Sequence, residues 1–110
     1  SEGIYITCEN IKGIKKVNIK DIEYIESYDN DVYAIVGKER YTIDEKLYTL
    51  EEKLDSYDFI RISKSILVNI ARIDYIKPMF NCKLKLILTN NDIIEVNRTY
   101  IKSFKERIKN

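Results

Sequence analysis

Apolar and polar residues alternate with a period of two along most of the chain. Ile4-Tyr5-Ile6-Thr7-Cys8 is a short β-branched run, and Gly13 precedes a second, Ile14 to Ile19, that reaches a turn at Lys20-Asp21. Ile22 to Tyr28 continues with strand formers. Asp29-Asn30-Asp31 has loop composition, and Val32 to Val36 reads as the returning strand of a hairpin. Gly37-Lys38-Glu39 turns the chain into Arg40 to Ile43.

The period then lengthens. Leu47, Leu50 and Leu54 lie three and then four apart with Glu51, Glu52 and Lys53 between them, which predicts a short amphipathic helix capped by Asp44 and ending by Asp55-Ser56. Beyond it, Ile66-Leu67-Val68-Asn69-Ile70 is an apolar run broken by one Asn, which suits a buried turn or strand. Arg72 to Ile76 alternates and stops before Pro78. Cys82, Leu84, Leu86 and Leu88 fall on one face of a further strand. Asn90-Asn91 suits a type I′ turn, because Asn tolerates positive φ. Ile93 to Val96 returns, and Ile101, Phe104 and Ile108 mark a closing helix capped by Asn97. The expected fold is mainly β, with small antiparallel sheets, a short central helix and a C-terminal helix.

The 110 residues suit one domain, spanning 1–110, with no linker, repeat or low-complexity segment. At 45% apolar and 34% charged, the composition is that of a globular chain able to bury its own core. No run approaches the ~20 apolar residues of a membrane helix. Ser1-Glu2-Gly3 lacks the basic flank and apolar core of an export signal, which predicts a cytoplasmic protein.

Histidine is absent, which removes the commonest acid–base residue, every Ser-His-Asp or Cys-His arrangement and every His-containing zinc site. None of the three glycines belongs to a phosphate-cradling motif. Cys8 and Cys82 are read as buried, reduced core thiols. These readings predict no enzyme, no cofactor and no metal.

Net charge is only +1, but it is unevenly distributed. Residues 1–58 carry 8 Lys/Arg against 14 Asp/Glu, whereas residues 59–110 carry 11 against 4. A half with net charge +7 could form an electropositive face for a polyanion, unless folding mingles the two halves.

Three segments could serve such a face. Arg61, Ser63, Lys64 and Ser65 put a guanidinium, an ammonium and two hydroxyls within five residues, a set that binds phosphate and also reaches guanine edges, although a solvated strand edge has the same composition. Arg98, Thr99 and Lys102 open the last helix, where N–H groups attract phosphate. Farther along it, Lys105, Arg107 and Lys109 complement the helix dipole. Asn30 and Tyr33 belong to the polar hairpin; Asn pairs with adenine and Tyr bonds phosphate or stacks, but Asp29 and Asp31 would repel DNA. The nine tyrosines are mostly strand formers and do not make a single-strand stacking platform.

Phe59 to Ile73 resembles the central signature of LytTR-type DNA-binding domains, loosely F-x-R-[IC]-H-[RKN]-S-[FYIL]-[ILV]-V-N-x-x-x-I. Asp21 to Glu26 and the three leucines precede it as in that family. Val96-Asn97-Arg98-Thr99-Tyr100 is close to its V-S-R-x-[YF]. The resemblance covers about residues 4–108. It implies an all-β domain with short helices, commonly the output half of a bacterial two-component response regulator and so a partner of a receiver domain. It further implies duplex DNA bound through loops in successive major grooves, with two copies on paired direct repeats about one helical turn apart.

By position, the resemblance assigns the groove contacts to Asn30 and Tyr33 with their loop, to Arg61, Ser63, Lys64 and Ser65, and to Arg98, Thr99 and Lys102. Asn69 matches a buried structural Asn, and Lys83 and Lys85 are weaker phosphate candidates. Ser63 stands where the family often has His, Asn97 where it has Ser, and the first loop is acidic. A protein-interaction module that uses the acidic half, without direct DNA binding, is the alternative.

Overall fold

A computed structural model describes residues 3–109. The reading made on Ser1 and Glu2 lies outside them. Ten strands and two α-helices follow one another: β1 (Tyr5–Asn10), β2 (Gly13–Asn18), β3 (Tyr24–Tyr28), β4 (Asp31–Val36), β5 (Glu39–Ile43), α1 (Leu47–Leu54), β6 (Phe59–Arg61), β7 (Ile66–Asn69), β8 (Ile73–Pro78), β9 (Leu84–Leu88), β10 (Ile93–Val96) and α2 (Ile101–Ile108). Single 3₁₀ turns cover Ile19–Asp21, Asp55–Tyr57, Ile70–Arg72 and Arg98–Tyr100. The expected β-rich class with two short helices is the observed one.

The strands form two antiparallel sheets. Seven lie in the order β2-β1-β5-β4-β3-β7-β6, and three in the order β10-β9-β8. The large sheet is a middle layer. Ile25, Val32, Ala34 and Leu67 project from one face into a core closed by Leu47, Leu50 and Leu54 of α1. Tyr24, Ile35 and Val68 project from the other into a core shared with Leu84, Leu86, Leu88, Ile94 and Val96 of the small sheet and Phe104 of α2. Burial on both faces explains why residues 66–70 read as a continuous apolar run instead of alternating. Each fully buried side chain such as Phe59 or Phe104 stabilises the fold by about 1.5–3 kcal/mol.

Asn69 joins the end of β7 to the segment that leads into β3. Its buried amide donates to the Ile22 carbonyl at 2.9 Å and accepts from the Ala71 N–H at 3.1 Å, the structural role expected of it.

Several local expectations are corrected. Asp44 does not cap α1; Lys46 occupies that position with no side-chain cap bond. Asn97 caps through its backbone, its carbonyl accepting from the Tyr100 N–H, and a 3₁₀ turn intervenes before α2 begins at Ile101. The β9–β10 connection has one left-handed residue, Asn91 (φ 73°), where a type I′ turn needs two. β8 continues through Pro78, which an edge strand tolerates. Cys8 is buried as read, but Cys82 is exposed, left-handed (φ 58°) and outside β9, so the inward face begins at Leu84.

Candidate nucleic-acid interface

Antiparallel pairing brings the three sequence-selected segments to one end of the large sheet. β3 and β4 meet there in a two-residue turn, with Tyr28 opposite Asp31. Asp29 (φ 51°) and Asn30 (φ 70°) are both left-handed, the geometry of a type I′ turn, which Asp and Asn adopt more readily than most residues. The Ser27 N–H donates to the Ser65 carbonyl at 2.8 Å and so fixes the 62–65 segment beside this turn. The Asn97 N–H donates to the Ile62 carbonyl at 2.9 Å, which docks the Arg98–Tyr100 turn against the same segment.

The 62–65 segment is built by its own polar groups. The Ser65 N–H donates to the Ser63 Oγ at 3.2 Å, and Ser63 is buried. Arg61 donates from Nε to the Ser63 carbonyl at 2.8 Å and from Nη2 to the Lys64 carbonyl at 2.6 Å, while Nη1 pairs with the Glu51 carboxylate at 2.6 Å. Every guanidinium nitrogen is therefore engaged within the molecule. Lys64, at the tip, is exposed. Ser63, Lys64, Ser65, Thr99, Glu26 and Glu95 border a shallow open depression of about 610 Å³.

The remaining candidates divide in the same way. Arg98, Thr99 and Lys102 are exposed on the last turn and the start of α2. Asn30 is exposed at the hairpin tip. Tyr33 is half-buried: its hydroxyl donates to Asp31 at 3.4 Å, and Arg40 covers its ring at 4.1 Å. Lys83 pairs with Glu95 at 3.5 Å, and Arg107 with Asp55 at 3.6 Å. Among the described residues, Lys64, Arg98 and Lys102 have no ion-pair or ring partner, so their charge is available to an outside anion.

The opposite end of the sheet holds a polar network that the sequence reading did not identify. Glu23 is buried and accepts from the Thr89 hydroxyl at 2.8 Å, with Arg72 at 3.8 Å. Asp92 accepts from the Tyr24 hydroxyl at 3.0 Å and pairs with Lys38 at 3.1 Å, and the Asn90 amide donates to the Gly37 carbonyl. Burial, then the hydrogen bond to Asp92, pushes the Tyr24 phenol up. Burial alone would raise the Asp92 carboxyl; contacts with Lys38, Tyr24 and Asn90 together outweigh it and hold that carboxyl below the ordinary range. An acid inside the apolar run Ile22-Glu23-Tyr24-Ile25 was the one sequence signal for this network.

The fold and this edge define a β-rich module that offers unpaired cations on loops. Its α-helices are separated by five strands, so among the described residues there is no helix-turn-helix. The profile of the LytTr DNA-binding domain family matches residues 12–109, and the chain belongs to that family. Two curated relatives are named Sensory transduction protein LytT. The Bacillus cereus protein is 35% identical over 98 residues, covering 89% of this chain and 40% of the relative. The Bacillus subtilis protein is 38% identical over 90 residues, covering 82% and 37%. The chain thus spans about 40% of the length of these relatives. A solved structure described as the LytTr DNA-binding domain of a methyl-accepting/DNA response regulator from Bacillus cereus superposes with a TM-score of 0.88. It covers 96% of both chains at 24% identity and so supports the fold.

Proposed function

We propose that residues 1–110 act as one sequence-specific duplex-DNA-binding unit of a bacterial transcriptional regulator. The observation that carries this reading is the set of unpaired, exposed cations Lys64, Arg98 and Lys102 on two segments that a backbone hydrogen bond holds together. Lys64 and Arg98 supply base-edge or phosphate contacts, and Lys102, Ser65 and Thr99 supply phosphate contacts. Asn30 offers an amide to a base from the neighbouring hairpin. Arg61, Ser63 and Tyr33 hold these loops in shape, because their polar groups are already engaged. As the family resemblance implies, these loops enter successive major grooves of the duplex.

Two copies then occupy paired direct repeats, and a receiver domain in the parent protein is the expected upstream partner. The chemistry requires no catalytic group. Fluorescence anisotropy with a labelled duplex carrying paired repeats, against a scrambled duplex and across a salt series, tests the reading. The expected result is preference for the repeats and a log–log salt slope of about −3 per domain, one counterion for each free cation. Inserting half a turn between the repeats should abolish the advantage of two copies over one. Absence of salt-dependent binding to any duplex selected from random sequence would favour the protein-interaction module instead.

A further inference from the structure

We infer that Glu51, an acidic residue on α1, is a positioning residue for the DNA-facing edge and strengthens specific binding. This inference rests on the function proposed above. Glu51 Oε1 lies 2.6 Å from Arg61 Nη1. The other two nitrogens of that guanidinium hold the carbonyls of Ser63 and Lys64. The carboxylate thus orients the planar fork that shapes the loop carrying Lys64. Four residues on, one helical turn along the same side, Asp55 holds the second segment: its carbonyl accepts from Arg107 Nη2 at 2.6 Å and its carboxylate pairs with Arg107 Nη1 at 3.6 Å. Arg107 belongs to α2, which continues directly from the Arg98–Tyr100 turn. Between these two links lies an open cleft of about 480 Å³ over Phe59 and Tyr100. α1, through Glu51, and its C-cap residue Asp55 therefore hold both segments through two ion pairs four residues apart.

This role has an electrostatic sign that identifies it. Removing a carboxylate from a DNA-binding protein ordinarily tightens binding to every duplex, because one repulsion disappears. Positioning predicts the reverse on the matched site. The experiment measures anisotropy of Glu51→Gln, Arg61→Lys, Lys64→Ala and the double variant Glu51→Gln/Lys64→Ala on matched and scrambled duplexes, with thermal melts to confirm the fold. Glu51→Gln is expected to weaken matched binding about three- to tenfold and to leave scrambled binding unchanged or tighter. Arg61→Lys should match that loss although it keeps the charge, since a single ammonium nitrogen lacks the planar fork whose three nitrogens each reach a different acceptor. The double variant should be no weaker than Lys64→Ala, because Glu51 acts through that loop.

Matched binding by Glu51→Gln equal to or tighter than wild type would overturn the inference. So would wild-type binding by Arg61→Lys, or losses that multiply in the double variant. If Arg61→Lys does not fold, Glu51→Gln, which alters a surface-accessible carboxylate, still decides. A wild-type protein with no preference for the repeats, or an inert Lys64→Ala, instead sinks the function on which the inference stands.

Discussion

The two ends of the large sheet use their polar groups in opposite ways. At the end where β4 turns into β5, Glu23, Thr89 and Arg72 bond one another, and Tyr24, Lys38 and Asp92 form a second closed set. At the end where β3 turns into β4, Lys64, Arg98 and Lys102 stand exposed, with no ion-pair or ring partner among the described residues. The first end joins the small sheet to the large one, since Thr89 and Asp92 lie in the β9–β10 turn. The second end spends its internal bonds on shaping loops and leaves its charges free. A polar group satisfied inside the molecule contributes to stability; one left unsatisfied at the surface is available to a ligand. The comparison therefore separates residues expected to change folding from residues expected to change binding.

The largest effect expected from breaking that separation comes from a reciprocal pair of variants. Glu23→Ala leaves the Thr89 hydroxyl without its carboxylate acceptor and takes one of two carboxylates from Arg72, which keeps Asp21 and the Lys20 carbonyl, and should lower stability by about 1–3 kcal/mol in urea unfolding. DNA affinity of the folded fraction should be unchanged. Lys64→Ala should do the opposite, costing about 1–3 kcal/mol of matched-site binding while stability stays within about 0.5 kcal/mol. A Lys64→Ala protein that melts early, or a Glu23→Ala protein that folds yet has lost its DNA, would dissolve the distinction between the two ends.

A smaller effect concerns pH. The folded Asp92 carboxyl lies below its ordinary value, so its contribution to stability is present at neutral pH. That contribution is lost as pH falls through the folded value, in the range below about pH 4. Asp92→Asn should be less stable than the parent at pH 7, and the gap should narrow in acid. Unfolding curves at pH 7 and pH 3 measure both differences; a gap that is constant between them would mean that Asp92 does not titrate against Lys38 and Tyr24 as the geometry requires.

How much of this was legible beforehand follows the same division. Most of the period-two runs, the Leu47-Leu50-Leu54 helix and the left-handed Asp29-Asn30 tip report local rules, and these appear where they were expected. The motif around Arg61 to Asn69 located the loop edge, because that signature lies where β6 and β7 meet. What Arg61 and Ser63 do there was not legible. A guanidinium beside two serines reads as an unengaged cation, and only the fold brings Glu51 within 2.6 Å from a different element. Cys82 misled for a related reason: its spacing from Leu84 fits a strand, but a left-handed backbone ends the ladder before it. The Tyr24–Asp92 bond spans 68 residues, and no window of sequence contains it.

The smallest predicted effect tests the acidic hairpin, which together with Glu26 and Glu95 opposes the cations at the end proposed to face DNA. Asp29 is exposed at the tip beside Asn30. Its backbone is left-handed, and Asn adopts that conformation as readily, so Asp29→Asn should fold unchanged. If the carboxylate merely faces phosphates, its removal should tighten matched and scrambled duplexes alike, by about twofold at low salt. The gain should fade as the Debye length shrinks from about 10 Å at 0.1 M to about 3 Å at 1 M. A different outcome would be more instructive. An Asp carboxylate can accept from the N4 amino group of cytosine in a major groove. If Asp29→Asn tightens the scrambled duplex and weakens the matched one, the hairpin reads a base through that carboxylate. The end of the sheet with free cations would then also carry an anion whose cost in affinity is offset by discrimination between sites.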